Sequence, residues 1–281
     1  MAYELGWGSK SPGHIVYLVD LSGSMATDNK IGQVMEALQS SLRLLLTKCT
    51  QGKTFLERFT TTIIGYNSDI IPLFSGGTQE TAALISKAVT SGNPIFDYGE
   101  GGIAKPNWQT YMSNAFSAAR NDIERWIREG ERNGRPLPAP IVVNITDGQP
   151  EESNKTLEVC ANEALEAARN LTKLATPDGN VLLFNLHIGN SGNLRELILP
   201  ANSPESTGND REDARLQFLY KSSSVLPEKM TRMAASFDVT AHPGSHGMVS
   251  NVQDTSVMVR LIEFSSSLGL VNDAIETPKP N

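Results

Sequence analysis

His14-Ile15-Val16-Tyr17-Leu18-Val19 runs directly into Asp20-Leu21-Ser22-Gly23-Ser24-Met25. A short apolar run that stops at turn residues reads as a strand buried on both faces of a parallel sheet. Ligands of open α/β sheets bind at the carboxyl ends of such strands. The turn here sets one carboxylate and two hydroxyls at alternate positions beside a glycine, an arrangement that can converge on one small, hard cation.

Two further runs of the same kind follow. Ile141-Val142-Val143-Asn144-Ile145-Thr146 ends at Asp147-Gly148, and a third run covers residues 181–188. Apolar residues at helical spacing separate them: Ile31, Val34, Met35, Leu38, Leu42, Leu45 and Leu46, then Met112, Phe116, Ala119, Ile123 and Ile127. Helical patterns also cover residues 79–89, 157–174, 228–236 and 254–268. Residues 59–66 and 69–74 read as a hairpin around Asn67-Ser68, and 247–251 as an edge strand. Residues 91–109 form a long Gly/Pro-bearing loop, and the polar stretch 190–213 reads as another loop, with or without a short helix. Strands alternating with helices predict an α/β fold: one doubly wound, mostly parallel sheet with an antiparallel edge strand and helices on both faces. A single domain is expected over 14–268, with an N-terminal segment at 1–13 and a flexible tail at 269–281 that carries Pro278 and Pro280.

Composition narrows the function. The 281 residues are 39% hydrophobic and 20% charged, with a formal net charge of −7, and no Lys/Arg cluster stands out. Nucleic acid is therefore not an expected partner. No stretch approaches the roughly 20 apolar residues of a membrane span. Met1-Ala2-Tyr3-Glu4-Leu5 lacks a basic segment followed by an apolar one, so no secretory leader is expected. Cys49 and Cys160 are either one disulfide or, as a cytoplasmic setting favours, buried thiols. His14, His187, His242 and His246 show no zinc spacing. Neither a Gly-x-Ser-x-Gly elbow nor a phosphate-binding Gly-rich loop occurs.

The set Asp20-x-Ser22-x-Ser24, Thr110 within Asn107-Trp108-Gln109-Thr110-Tyr111-Met112-Ser113, and Asp147-Gly148 resembles the von Willebrand factor A (vWA) family. That resemblance implies a Rossmann-like fold and a metal-ion-dependent adhesion site (MIDAS) built from Asp20, Ser22, Ser24, Thr110 and Asp147. Its expected ion is Mg²⁺, with Ca²⁺ or Mn²⁺ as alternatives, and its expected ligand is an Asp or Glu side chain of a partner protein. The chemistry agrees. Three neutral hydroxyl oxygens leave a hard cation with residual charge and an open position.

Each residue also has a plainer reading. Ser24 or Asp28 could cap a helix, Thr110 could be an N-cap, and Asp147-Gly148 is a common turn pair. Gly76-Gly77-Thr78 offers a competing threonine, but it precedes a helix out of family order and is expected to be a cap. Phe96, Tyr98 and Trp108 lie in the loop that feeds Thr110. Phe96 is expected to anchor that loop, and residues 91–109 and 190–213 are expected to frame the cation.

A second resemblance rests on Phe218-Leu219-Tyr220-Lys221-Ser222-Ser223-Ser224-Val225-Leu226-Pro227-Glu228 with Gly247-Met248-Val249-Ser250-Asn251. These look like stand-alone bacterial vWA proteins of the tellurite-resistance type. The resemblance implies a signalling or stress-response scaffold with a protein kinase and a PP2C-like phosphatase as partners. Other vWA proteins serve AAA+ ATPases of the MoxR or chelatase kind, a second reading. A metal-dependent hydrolase is a third, disfavoured because no general base accompanies the metal by pattern.

Overall fold

The computed structural model describes residues 3–189 and 196–270. Among the described residues eleven strands and seven α-helices follow in the order β1 (Gly13–Asp20), α1 (Lys30–Thr47), β2 (Thr50–Gln51), β3 (Thr54–Phe55), β4 (Phe59–Tyr66), β5 (Ile70–Gly77), α2 (Thr78–Ser91), α3 (Met112–Arg132), β6 (Ile141–Thr146), α4 (Leu157–Thr172), β7 (Ala175–Thr176), β8 (Gly179–Asn180), β9 (Leu182–Ile188), β10 (Leu197–Ile198), α5 (Asp210–Ser222), α6 (Glu228–Met233), β11 (Met248–Val252) and α7 (Thr255–Ser266). Seven strands form one sheet in the order β10-β11-β9-β6-β1-β4-β5, and β2-β3 and β7-β8 are small separate hairpins.

The apolar runs take the sheet interior. β1 pairs in parallel with both β4 and β6, β6 with β9, and β9 with β11. Alternate side chains of β1 serve opposite faces, as the strand period demands. Ile15, Tyr17 and Val19 pack with Val34, Leu38 and Leu42 of α1 and Ile262 of α7. Val16 and Leu18 pack with Phe116 and Ile123 of α3, Ala164 of α4 and Leu219 of α5. From β1 the chain winds outward first to β4 and β5, then crosses to β6, β9 and β11. The strand order therefore reverses between β1 and β6, the switch point at which open α/β sheets hold ligands.

The structure differs from the sequence reading in two places. Both sheet edges are antiparallel: β5 on β4, as expected from the hairpin, and β10 on β11. β11 is consequently an inner strand. In the stretch expected to be a loop with or without a short helix, residues 190–195 lie outside the described residues, β10 is an unexpected strand, and a helix does begin there, α5, which runs on for 13 residues to Ser222. Asn209 caps α5 by accepting the N–H groups of Arg211 and Glu212, and Asp210, Glu212 and Asp213 fill its first turn, where the helix dipole favours anions. Those residues look like a solvated loop in sequence because helix entries and loops use the same polar side chains.

The segment ahead of β1 is part of the same body. Trp7 is buried between Gly13 and Gly269, where an added Cβ would stand 2.1 and 1.8 Å from its ring atoms. Its backbone N–H donates to the Gly269 carbonyl at 2.8 Å. Of the tail expected over 269–281, Gly269 and Leu270 pack into this body, and 271–281 lie outside the described residues.

Candidate metal centre

Strand register brings the first and third parts of the sequence set together. Asp20 closes β1 opposite Tyr66, and β6 runs alongside to Thr146, with Asp147 next in the chain. Asp20 is fully buried. One of its oxygens accepts the Ser22 backbone N–H at 2.8 Å, and the other accepts the Thr146 hydroxyl at 2.6 Å. Ser22 Oγ and Ser24 Oγ are 3.2 Å apart, and Ser24 donates to Asp147 Oδ1 at 2.7 Å. Neither Ser24 nor Asp28 caps α1, whose N-cap is Asn29.

Thr110 arrives through backbone stitching. The Asn107 N–H donates to the Leu21 carbonyl at 2.7 Å, and the Gly23 N–H to the Trp108 carbonyl at 3.3 Å. Thr110 and Glu151 then exchange a reciprocal pair of backbone bonds at 3.0 and 3.1 Å, tying the loop to the chain beyond Asp147. Thr110 is not an N-cap, because Tyr111 holds that position of α3. With its backbone engaged, Thr110 turns its side chain to a crevice of about 530 Å³ that Ser22, Ser24 and Asp147 also line.

Thr78 belongs elsewhere. Its hydroxyl donates to the Phe59 carbonyl at 3.1 Å and accepts the N–H groups of Arg58 and Phe59. It thus clamps α2 to the start of β4, the opposite end of the sheet from Asp20. The expected capping role falls instead to Glu57 and Glu80, whose carboxylates accept the N–H groups of Thr78, Gln79 and Gly77.

The structure adds a residue the sequence reading passed over. Lys30 Nζ lies 2.6 Å from Asp147 Oδ2, with the two side chains only 4% and 1% exposed. Lys30 is the first residue of α1, where a cation opposes the helix dipole. That misfit was the signal available in sequence: an ammonium at a helix start needs an anion. Burial pushes the Asp20 carboxyl up to about 7 against the Thr146 hydrogen bond, with Asp147 adding to the rise. The buried ammonium of Lys30 thus answers Asp147, while Asp20 is held by neutral donors.

His187 reaches the site from β9. Asn251 N–H can only donate, so Nδ1 accepts it at 3.2 Å and Nε2 carries the proton given to the Asp147 carbonyl, also at 3.2 Å. Burial, with the charge of Arg215, holds this imidazole well below its usual range, so it is neutral with both nitrogens engaged. His14 is remote, at the start of β1. Its Nδ1 is 2.7 Å from Thr60 Oγ1 and its Nε2 2.9 Å from Asp122 Oδ2, and it stacks on Trp126.

Both stretches expected to frame the crevice contribute to its lining, beside residues of the Ser22–Lys30 and Asp147–Glu151 segments. Trp108, 84% exposed, stands on one side. Phe96 is buried in the core, the anchor expected of it, and Tyr98 is partly buried against the same cluster. Asn209, Arg211, Glu212 and Arg215 of the α5 entry form the other wall. Lining charges balance: Lys30, Arg211 and Arg215 against Asp147, Glu151 and Glu212. Among the described residues no three His, Cys, Asp or Glu side chains form a metal-binding group. A cation here would rest on hydroxyl oxygens, the donor set that suits a hard divalent ion with retained water.

No protein-family model and no curated protein matches the chain. Solved structures do resemble it. The pilus adhesin SpaC from Lactobacillus rhamnosus GG aligns over 94% of this chain and 31% of its own, with 13% identity and a TM-score of 0.52. The proximal thread matrix protein 1 of the mussel byssus, in a form with a zinc-occupied MIDAS motif, aligns over 92% of this chain and 48% of its own, with 13% identity and a TM-score of 0.48. The manganese-loaded TRAP protein of Plasmodium vivax aligns over 84% and 70%, with 14% identity and a TM-score of 0.40. The chain spans about half the length of the mussel protein and a third of the pilus adhesin. Its sheet is a vWA-type, Rossmann-like fold. Among the described residues no helix is long and apolar enough to cross a membrane.

Proposed function

We propose that this protein is a non-enzymatic docking module that presents a divalent cation, Mg²⁺ in the first instance, to an acidic residue of a partner protein. The observation that carries this reading is the convergence of Asp20, Ser22, Ser24, Thr110 and Asp147 at the switch point of the sheet. Ser22, Ser24 and Thr110 would hold the ion through their hydroxyl oxygens. Asp20 orients the Ser22 turn through its backbone N–H, and Asp147 orients Ser24. The bound ion would supply two positive charges and a coordination position open to a carboxylate. Ca²⁺ or Mn²⁺ would fit the same donors.

Charge supports the reading. The whole chain carries −7, which repels an acidic partner at long range. The lining charges cancel, so the ion decides the sign of the crevice. Trp108 at the rim offers the aromatic contact favoured at interface centres. Hydrolysis has little support: His187 has both nitrogens engaged and is no free base.

For partners, the resemblance of residues 218–228 and 247–251 to tellurite-resistance vWA proteins points to a protein kinase or PP2C-like phosphatase in a cytoplasmic bacterial stress or signalling assembly. An AAA+ ATPase is the other candidate. Affinity purification with and without chelator, repeated with Asp20→Ala, tests both levels. Partners that depend on metal and on Asp20 are expected, and their identity selects between the two. Equal retention in all three conditions rules the metal bridge out.

A further inference from the structure

We infer that Arg211, backed by Arg215, is a second anion contact in this crevice, so that the docked segment carries two acidic side chains rather than one. The inference rests on the docking reading and specifies its ligand.

Arg211 sits in the first turn of α5, where a cation opposes the helix dipole and three neighbouring acids could neutralise it. Two of them are committed elsewhere. Asp213 accepts the Ser206 and Thr207 hydroxyls and the Thr207 N–H, the last at 2.7 Å. Glu212 is bonded by Arg215, one turn along the helix. Arg211 itself forms no ion pair among the described residues, although it is exposed and lines the same crevice as Ser24 and Thr110. Across the crevice, Asp147 is spent on Lys30 and Ser24, and Glu151 makes no ion pair with Arg211.

Arg215 lines the same crevice and is held in place by its own partners. One of its terminal nitrogens serves Glu212 and Asn251 Oδ1, the latter at 3.1 Å, while its Nε is buried without a hydrogen-bond partner. That Nε is closed off from the crevice, so the guanidinium an incoming acid would meet is the exposed one of Arg211, and a carboxylate is the acceptor that a guanidinium fork fits best. An incoming acid on this wall would pair with Arg211, which forms no ion pair among the described residues. A cation on the hydroxyls and a guanidinium on the facing wall thus define two anchoring points in one cavity.

Short N-acetylated, C-amidated peptides test this by fluorescence anisotropy. One set carries a single glutamate, and the other carries two glutamates at increasing separation. In Mg²⁺, the best two-acid peptide is expected to bind about tenfold tighter than the single-acid peptide. Arg211→Gln should remove that margin while leaving the single-acid affinity and the Mg²⁺ affinity unchanged, and Arg211→Lys should restore part of it. Lys221→Gln, at the far end of α5, should change nothing. Mg²⁺-dependent binding with no gain from the second acid at any separation overturns the second contact alone. So does an Arg211→Gln variant that weakens both sets equally. If neither set binds in an Mg²⁺-dependent way, the docking reading fails as well.

Discussion

Replacing Lys30 by Met leaves a nearly isosteric apolar chain beside a buried carboxylate, and the cost can be worked from the contact. Lys30 Nζ and Asp147 Oδ2 are 2.6 Å apart, and both side chains are almost wholly withdrawn from water. Deleting one member of such a pair strands the other, which typically costs about 3–5 kcal/mol. Asp147 keeps the Ser24 hydrogen bond, so the expected loss for the metal-free protein is near the lower limit, about 3 kcal/mol. In a domain of this size each kcal/mol shifts the midpoint by about 2–4 °C, giving a fall of about 6–12 °C. Added Mg²⁺ would then compensate the stranded charge. Because a ligand stabilises in proportion to the logarithm of its concentration over Kd, the ion should raise the variant's midpoint more than the parent's. The assay is thermal and urea unfolding with chelator and across an Mg²⁺ series. A metal-free variant within about 1 kcal/mol of the parent would refute the buried-pair reasoning. An equal Mg²⁺ response in both proteins would refute the exchange of one cation for the other.

Three other outcomes are expected. Thr110→Ala should weaken Mg²⁺ binding by about tenfold or more by calorimetry, whereas Thr78→Ala should leave it unchanged and cost about 1–3 kcal/mol of stability, since the Arg58 and Phe59 N–H groups lose their acceptor. The reverse pattern would move the metal to Thr78. Burial raises the Asp122 carboxyl, but the hydrogen bond and charge of His14, with Thr62 and Arg125, outweigh it and hold the group below its ordinary value. A depressed carboxylate contributes stability above its unfolded pKa and loses it as pH falls through the folded one. As pH falls from about 5, the stability gap between parent and Asp122→Asn should therefore narrow, closing below about pH 4. A gap that opens on acidification would contradict this sign. Trp7→Ala should cost about 3–5 kcal/mol in urea unfolding, despite lying outside the strand-and-helix pattern.

The centre of the sheet was legible because β1, β6 and β9 are nearly continuous apolar runs and the helices covering them repeat at their own period. β10 and the entry to α5 were not. β10 contributes two residues, too few for any periodicity, and the α5 entry uses Asn and Asp as a loop would. At the site, the five candidate side chains were recognisable by type and order. What brings them together was not, because Ser24 meets Asp147 and Asp20 meets Thr146 only through strand order. Lys30, Arg211 and Arg215 escaped notice for a related reason. A single basic residue on an amphipathic helix carries no sign of which carboxylate it will face, although placement at a helix start hints that one is needed.

The stack of Trp7 between Gly13 and Gly269 also has a mechanical meaning. Both stretches meet at the start of β1, about 23 Å along that strand from Asp20 at roughly 3.3 Å per residue. Tension applied through either stretch would be borne first by one indole wedged between two bare backbones, with the length of the central strand separating it from the crevice. A partner pulling on the cation and an attachment pulling on the opposite end would load β1 along its axis. The parallel ladders to β4 and β6 on either side would then resist in shear.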